Sequence, residues 1–152
     1  MKRIFLDIDG VLNNQRWLAQ QHNFKSFSPY NVAALNLILK ATGAEIVISS
    51  NWRLYPYDFH TLFKRQGIEG KIIGFTPSIN EIQNGIFRSV IRGDEIMAYL
   101  EANEKPGERF VILDDDDDMG ILSPRLVQTN PANGLTEADA RRAIEMLGVV
   151  AQ

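Results

Sequence analysis

The chain has 152 residues, 45% of them hydrophobic and 23% charged, which is the size and balance of one globular domain with enough chain for a core. It contains no cysteine, which excludes disulfides and thiolate metal sites, and no apolar run long enough to span a bilayer. The formal net charge of −3 argues against binding nucleic acid through bulk charge, and five of the acids form one run, Asp114 to Asp118, without which the rest would be slightly basic.

The opening Met1-Lys2-Arg3-Ile4-Phe5-Leu6-Asp7 lacks the features of a signal peptide, so the expected location is the cytoplasm. Ile4 to Leu6 reads as a buried strand that leaves the sheet through Asp7-Ile8-Asp9-Gly10. Ser28 as N-cap, Pro29 at the first helical position and the spacing of Val32, Leu35, Ile38 and Leu39 predict a helix to about residue 41, closed by Gly43. Ile46 to Ile48 is a second strand, ending in Ser49-Ser50-Asn51. A helix is expected around residues 57–66, stopped by Gly67, then a short strand at 71–74. Residues 76–92 read as a loop with room for one helical turn. A helix over 94–103 and a connection ending in Pro106-Gly107 lead to a strand at 109–113, which runs into the five aspartates. Leu126 to Gln128 is a fifth strand, and Thr136 with Asp139 forms a capping box for a last helix to about residue 147.

Strands alternating with helices predict an α/β fold with a mainly parallel sheet, and residues 1–152 read as a single domain without repeats or linkers. The polar residues that stand out fall at strand ends: Asp7, Asp9, Ser49 or Ser50, and Asp114 or Asp115. In open α/β sheets that edge binds ligands. Carboxylates gathered there would repel and raise one another's pKa values unless a cation joined them. With only oxygen donors, the favoured ion is Mg²⁺, which usually takes a phosphate oxygen as a ligand. A strand-end hydroxyl and an arginine near a helix start, Arg92, suit the remaining phosphate oxygens. An aspartate can attack phosphorus, and a second carboxyl can shuttle the proton.

These residues resemble a known family. Phe5-Leu6-Asp7-Ile8-Asp9-Gly10-Val11-Leu12 resembles the first motif of the haloacid dehalogenase superfamily, and Ile46-Val47-Ile48-Ser49 its second. Arg92-Gly93-Asp94-Glu95-Ile96 is similar to the third, and Val111-Ile112-Leu113-Asp114-Asp115 to the fourth. Ile48-Ser49-Ser50-Asn51-Trp52-Arg53 narrows the resemblance to the branch found in bacterial Swiss army knife RNA-repair proteins. The resemblance implies a Rossmann-like three-layer sandwich and a phosphatase working through an aspartyl-phosphate. Asp7 would be the nucleophile and Asp9 the general acid and base, with its backbone carbonyl on the metal. Ser49 would bind the phosphoryl group, Arg92 would stabilise its charge, and Asp114 and Asp115 would hold Mg²⁺ directly or through water.

Two positions depart from the usual pattern. The third motif commonly has lysine where Arg92 stands, and Arg88 is a rival for the place. Ser49 is preferred for the second motif, although Ser50-Asn51 fits a hydroxyl-then-Asn form. Asp116 and Asp117 read as turn residues, and Asp118 matches a D-x-x-x-D variant that orients the site. Asn51, Trp52 and Arg53 are candidates for the substrate surface; the alternative puts Trp52 in the core and Arg53 in a surface ion pair. His22 and His60 receive no role.

The two intervals where the superfamily inserts cap domains are short, so no large cap is expected and the site should be open. An open site suits a nucleic-acid end, a phosphoprotein or a glycan, with a polynucleotide end as the leading candidate. Readings from other classes are a receiver-like phospho-signalling domain and a catalytically silent phosphate- or metal-binding module.

Overall fold

The computed structural model describes residues 1–20, 26–83, 85–103 and 108–148, with the backbone alone for the strands at 80–83 and 86–89. In chain order these form β1 (Lys2–Leu6), α1 (Gln15–Ala19), α2 (Pro29–Thr42), β2 (Glu45–Ile48), α3 (Phe59–Arg65) and β3 (Ile72–Phe75). They continue with β4 (Asn80–Gln83), β5 (Ile86–Ser89), α4 (Arg92–Asn103), β6 (Arg109–Asp114), β7 (Leu126–Gln128) and α5 (Glu137–Met146). Two 3₁₀ turns, Asn51–Leu54 and Gly120–Arg125, follow β2 and β6.

Five strands make one parallel sheet in the order β3-β2-β1-β6-β7. Each strand alternates its side chains between two helical layers. Ile4 and Leu6 of β1, Ile46 and Ile48 of β2, and Val111 and Leu113 of β6 pack with α2, α3 and α5. Phe5, Val47 and Ile112 pack on the opposite face with Ile96, Tyr99 and Leu100 of α4 and with Leu122. This is the expected α/β three-layer sandwich.

The span 76–92, expected to be a loop, instead holds β4 and β5, an antiparallel hairpin separate from the main sheet. Its turn uses Gly85 at φ +76°, where a side chain would strain the backbone. Asn84-Gly85 between two short runs is the local signal for such a turn, and it escaped the sequence reading. Helix α1, capped by the Asn14 carboxamide accepting the Trp17 N–H, was also not expected. Helix α4 begins at Arg92, two residues earlier than expected. Among the described residues neither interval holds a large cap. The connection expected to end in Pro106-Gly107 lies outside the described residues, as does His22. Among the described residues no helix is long and apolar enough to cross a membrane.

The sheet register sets the functional edge. Leu6 pairs with Ile48 and with Leu113, and Ile48 pairs with Phe75. One residue further along, the four strands carry Asp7, Ser49, Asp114 and Thr76. The N–H groups of Asp7, Ser49 and Thr76 donate to the carbonyls of Leu113, Leu6 and Ile48, each at 3.0 Å. A single polar rung therefore crosses the carboxyl edge of four strands, on the α4 side because the residues before it face the other layer.

A buried amide ties the elements around that edge. Asn31, at the start of α2, donates to the carbonyls of Asn133 and Leu135 and accepts from Asn14 Nδ2. It joins the loop after β1 to the segment before α5. We expect Asn31→Ala to destabilise the fold by about 3 kcal/mol, since it leaves buried carbonyls unpaired. Urea unfolding should show a lower midpoint with an unchanged slope.

Candidate active site

The loop after β1 is wound around one carbonyl. Ile8 O accepts from Val11, Leu12 and Asn13 N–H groups, and Gly10 takes the left-handed turn at φ +79°. The Asn13 side chain, which is fully buried, accepts from Gly10 N–H and donates to Asp9 Oδ1 at 2.8 Å. Trp52 Nε1 donates to Asp9 Oδ2 at 3.0 Å. Two neutral donors from separate elements thus hold the exposed Asp9 carboxyl in place. Gly10 also makes room for the opposite loop, because a Cβ there would lie 2.5 Å from Asp115 Oδ2.

Asp7 and Asp114 meet across the β1–β6 boundary. Both are buried, and both bond one nitrogen of Arg92: Nη1 lies 3.0 Å from Asp7 Oδ1 and 2.8 Å from Asp114 Oδ2. One oxygen from each of Asp7, Asp114 and Asp115 lies within 4.8 Å of the others. Burial and the neighbouring Asp114 charge raise the Asp7 pKa well above the ordinary carboxylate value, with Arg92 pulling the other way. Burial also raises Asp114, to about 6, again against the pull of Arg92. For Arg92 burial opposes its charge, but Asp7 and Asp114 outweigh it and raise its pKa.

Arg92 opens α4, and the acidic loop fixes that helix start. Asp118 Oδ2 accepts the Arg92 N–H and Asp118 O accepts the Gly93 N–H. Gly93 is required by contact: a Cβ at this position would fall on the Met119 carbonyl. Asp116 and Asp117 are exposed turn residues, with the Asp116 N–H bonded to Asp114 Oδ1. Arg88 is in β5, opposite Glu81, and its side chain lies outside the description.

The two serines divide their work. Ser50 Oγ accepts the Trp52 N–H and caps the 3₁₀ turn. Ser49 Oγ is buried without a hydrogen-bond partner, and so is Thr76 Oγ1 in the same rung. Thr76 did not figure in the sequence reading, because a Thr after a short strand carries no motif.

Arg53 is not at the surface. Its side chain is 3% exposed and pairs with Glu95 at 2.9 Å. It also donates to the carbonyls of Ser49, Ser50, Thr76 and Pro77. Glu95 in turn accepts the Ile79 N–H. The pair binds the ends of β2 and β3 to α4, three residues from Arg92. Asn51 is exposed, and its Oδ1 accepts from Arg53. Trp52 is buried against Phe27 and Tyr57, so it is a core residue that also reaches Asp9. Asn13 and Glu95 also escaped the sequence reading. Glu95 left a signal, a carboxylate on the same helical stripe as Ile96, Tyr99 and Leu100.

The donor set suits a hard cation. Asp7 and Asp114 share one guanidinium with Asp115 beside them, which leaves excess negative charge, and the donors are all oxygen. The cluster can therefore hold a metal ion. Asp9 is not part of that carboxylate group.

Residues 3–140 match the family described as the HAD domain in Swiss Army Knife RNA repair proteins. No curated protein and no solved structure shows a significant match to the chain.

Two outcomes follow from this geometry. Asp114 and Asp7 bind protons more tightly folded than unfolded. For Asp114 the stabilisation is complete below about pH 4 and is lost as pH rises through about 6, and the raised Asp7 carboxyl acts in the same direction. Metal-free protein should therefore lose stability over that window, and Mg²⁺ should restore it at pH 7.5 but not at pH 5, as read by thermal melts. Separately, Glu95→Gln should lower stability by about 3 kcal/mol, because it strands a buried guanidinium. A melting temperature unchanged by Glu95→Gln would refute the clasp.

Proposed function

The chain belongs to the family of HAD domains found in Swiss Army Knife RNA repair proteins, and from that premise we propose that it is a Mg²⁺-dependent phosphomonoester hydrolase acting on nucleic-acid ends. The observation that carries this reading is the group of Asp7, Asp114 and Asp115 at the carboxyl edge of the sheet, with Arg92 bonded to the first two.

In the proposed reaction an Asp7 carboxylate oxygen forms a bond to phosphorus as the bond to the leaving oxygen breaks. Asp9 gives its proton to that leaving oxygen. The product is an aspartyl-phosphate on Asp7. Asp9 then takes a proton from water, the water oxygen bonds to phosphorus, and inorganic phosphate leaves with Asp7 restored. Arg92 neutralises phosphoryl oxygens, and Ser49, whose hydroxyl has no partner in the protein, donates to another. Asp7, Asp114, Asp115 and the Asp9 carbonyl would hold Mg²⁺, which supplies charge neutralisation at the phosphate when bound.

Asp7 and Asp9 thus have different surroundings suited to different work. Asp7 is buried beside Arg92, where a nucleophile is held rigidly. Asp9 is exposed at the rim, held by Asn13 and Trp52, with access to a leaving group and to water. Among the described residues no large cap covers the site, which supports a macromolecular substrate.

Hydrolysis of an aryl phosphate, and of 3′- and 5′-phosphorylated oligonucleotides, tests the reading. Activity should require Mg²⁺, vanish in EDTA, and fall at least about 10³-fold in Asp7→Asn. Full activity in Asp7→Asn would sink the mechanism, and turnover of small phosphoesters alone would sink the nucleic-acid substrate.

A further inference from the structure

Strand β7 ends in two residues that reach both loops of the site. Gln128 Nε2 donates to the Asp115 carbonyl at 3.2 Å, and the Thr129 N–H donates to the Asp114 carbonyl at 2.9 Å. The Thr129 hydroxyl donates instead to the Gly10 carbonyl at 2.7 Å. Thr129 is 3% exposed, so water competes little for that bond. One residue thus holds the acidic loop by its backbone and the loop after β1 by its side chain.

The tie falls where charge pushes the two loops apart. One oxygen from each of Asp7, Asp114 and Asp115 lies within 4.8 Å of the others, and like charges that close repel. The loops nevertheless touch, since a Cβ on Gly10 would lie 2.5 Å from Asp115 Oδ2. Arg92 opposes the repulsion through the carboxylates of Asp7 and Asp114, and so engages oxygens that a cation would use. Thr129 works through carbonyls and leaves every carboxylate oxygen free.

The same bond helps to fix a carbonyl that Thr129 does not touch. The Gly10 N–H donates to Asn13 Oδ1 at 3.0 Å, and Gly10 O accepts from Thr129. Both planar peptide units that flank Gly10 are therefore anchored. The first of them carries the Asp9 carbonyl, assigned to Mg²⁺ together with Asp7, Asp114 and Asp115. Such anchors matter most at a glycine, the residue freest to rotate.

We propose that Thr129 is a positioning residue for the metal centre. By joining the Gly10 and Asp114 carbonyls it sets the spacing between the Asp9 carbonyl and the Asp114–Asp115 pair, and with it the affinity for Mg²⁺. The proposal rests on the reading of that group as a Mg²⁺ site. Outer groups that orient ligands in this way change metal affinity by about tenfold or more when they are removed.

The test is calorimetric titration of Mg²⁺ into the full chain at pH 7.5, which reads binding without turnover. Thr129→Val keeps the branched shape and deletes the hydroxyl, and should raise the Mg²⁺ Kd about tenfold. Thr129→Ser restores the donor and should stay within about twofold of the unaltered chain. Thr42→Val makes the same chemical change just before β2, at the other edge of the sheet, where the hydroxyl bonds Ile38 O and the Ala44 N–H. It should lower the melting temperature and leave the Kd unmoved. No rise in Thr129→Val, no recovery in Thr129→Ser, or an equal rise in Thr42→Val would each overturn the proposal. If Thr129→Val does not fold, amide hydrogen exchange in the unaltered chain decides. Coupling is reciprocal, so Mg²⁺ should slow exchange at the Gly10 and Thr129 N–H groups together, and slowing at only one would overturn it. Mg²⁺ affinity that depends on Thr129 in a chain without phosphatase activity would overturn the phosphatase reading and leave this one standing. Mg²⁺-dependent hydrolysis with unchanged Mg²⁺ affinity in Thr129→Val would do the reverse, and a chain that binds no Mg²⁺ would overturn both.

Discussion

Everything at the carboxyl edge follows from one electrostatic constraint. Asp7, Asp114 and Asp115 are brought close together in a mostly buried place, where their charges repel and water cannot relieve them. Burial is the largest influence on both Asp7 and Asp114, and it drives their pKa values up. Arg92 meets both carboxylates with one nitrogen and is the counter-charge the fold itself supplies. One cation against three acids leaves room for another, and that shortfall is the physical basis for expecting a metal there.

Holding repelling groups together takes structure, and much of the surrounding hydrogen bonding serves that end. Asp118 grips the first turn of α4, and Gly93 lets that turn approach the Met119 carbonyl. Gly10 lets Asp115 lean over the first loop. Asn13 and Trp52 pin Asp9. Arg53 and Glu95 bind the ends of β2 and β3 to α4, so that Ser49 and Arg92 are positioned by the same clasp. None of these residues needs to touch a substrate for its loss to disturb the site.

The edge is also divided. The β6 side is acidic and the β2–β3 side is aromatic, with the central strand β1 and its nucleophile candidate between them. A groove of about 740 Å³ lies apart from both, lined by Trp17, Tyr30, Leu37 and Leu135, and the clustered acids are not among its walls. The clustered acids therefore stand at the rim of the sheet and not in that groove.

The sequence by itself determined the parallel α/β plan, because short apolar runs alternating with helical stripes leave few other solutions. It also marked Asp7, Asp9, Ser49 and the aspartate run, because these directly follow buried strands and so must emerge at one edge. The helix signals at Pro29, Gly43 and the Thr136–Asp139 box are local, and the structure shows each of them. What only the tertiary structure decided was pairing between distant residues. That Ser50 caps a turn while the Ser49 hydroxyl stays unpartnered depends on how β2 ends against its neighbours. That Arg53 is a buried tie and not a surface charge depends on Glu95, more than forty residues away in the chain. The β4–β5 hairpin and the alignment of Thr76 with Ser49 depend likewise on register. Local propensity and strand-end position can be read along a chain, whereas the partner of a charge or hydroxyl is set by which strands the fold makes neighbours.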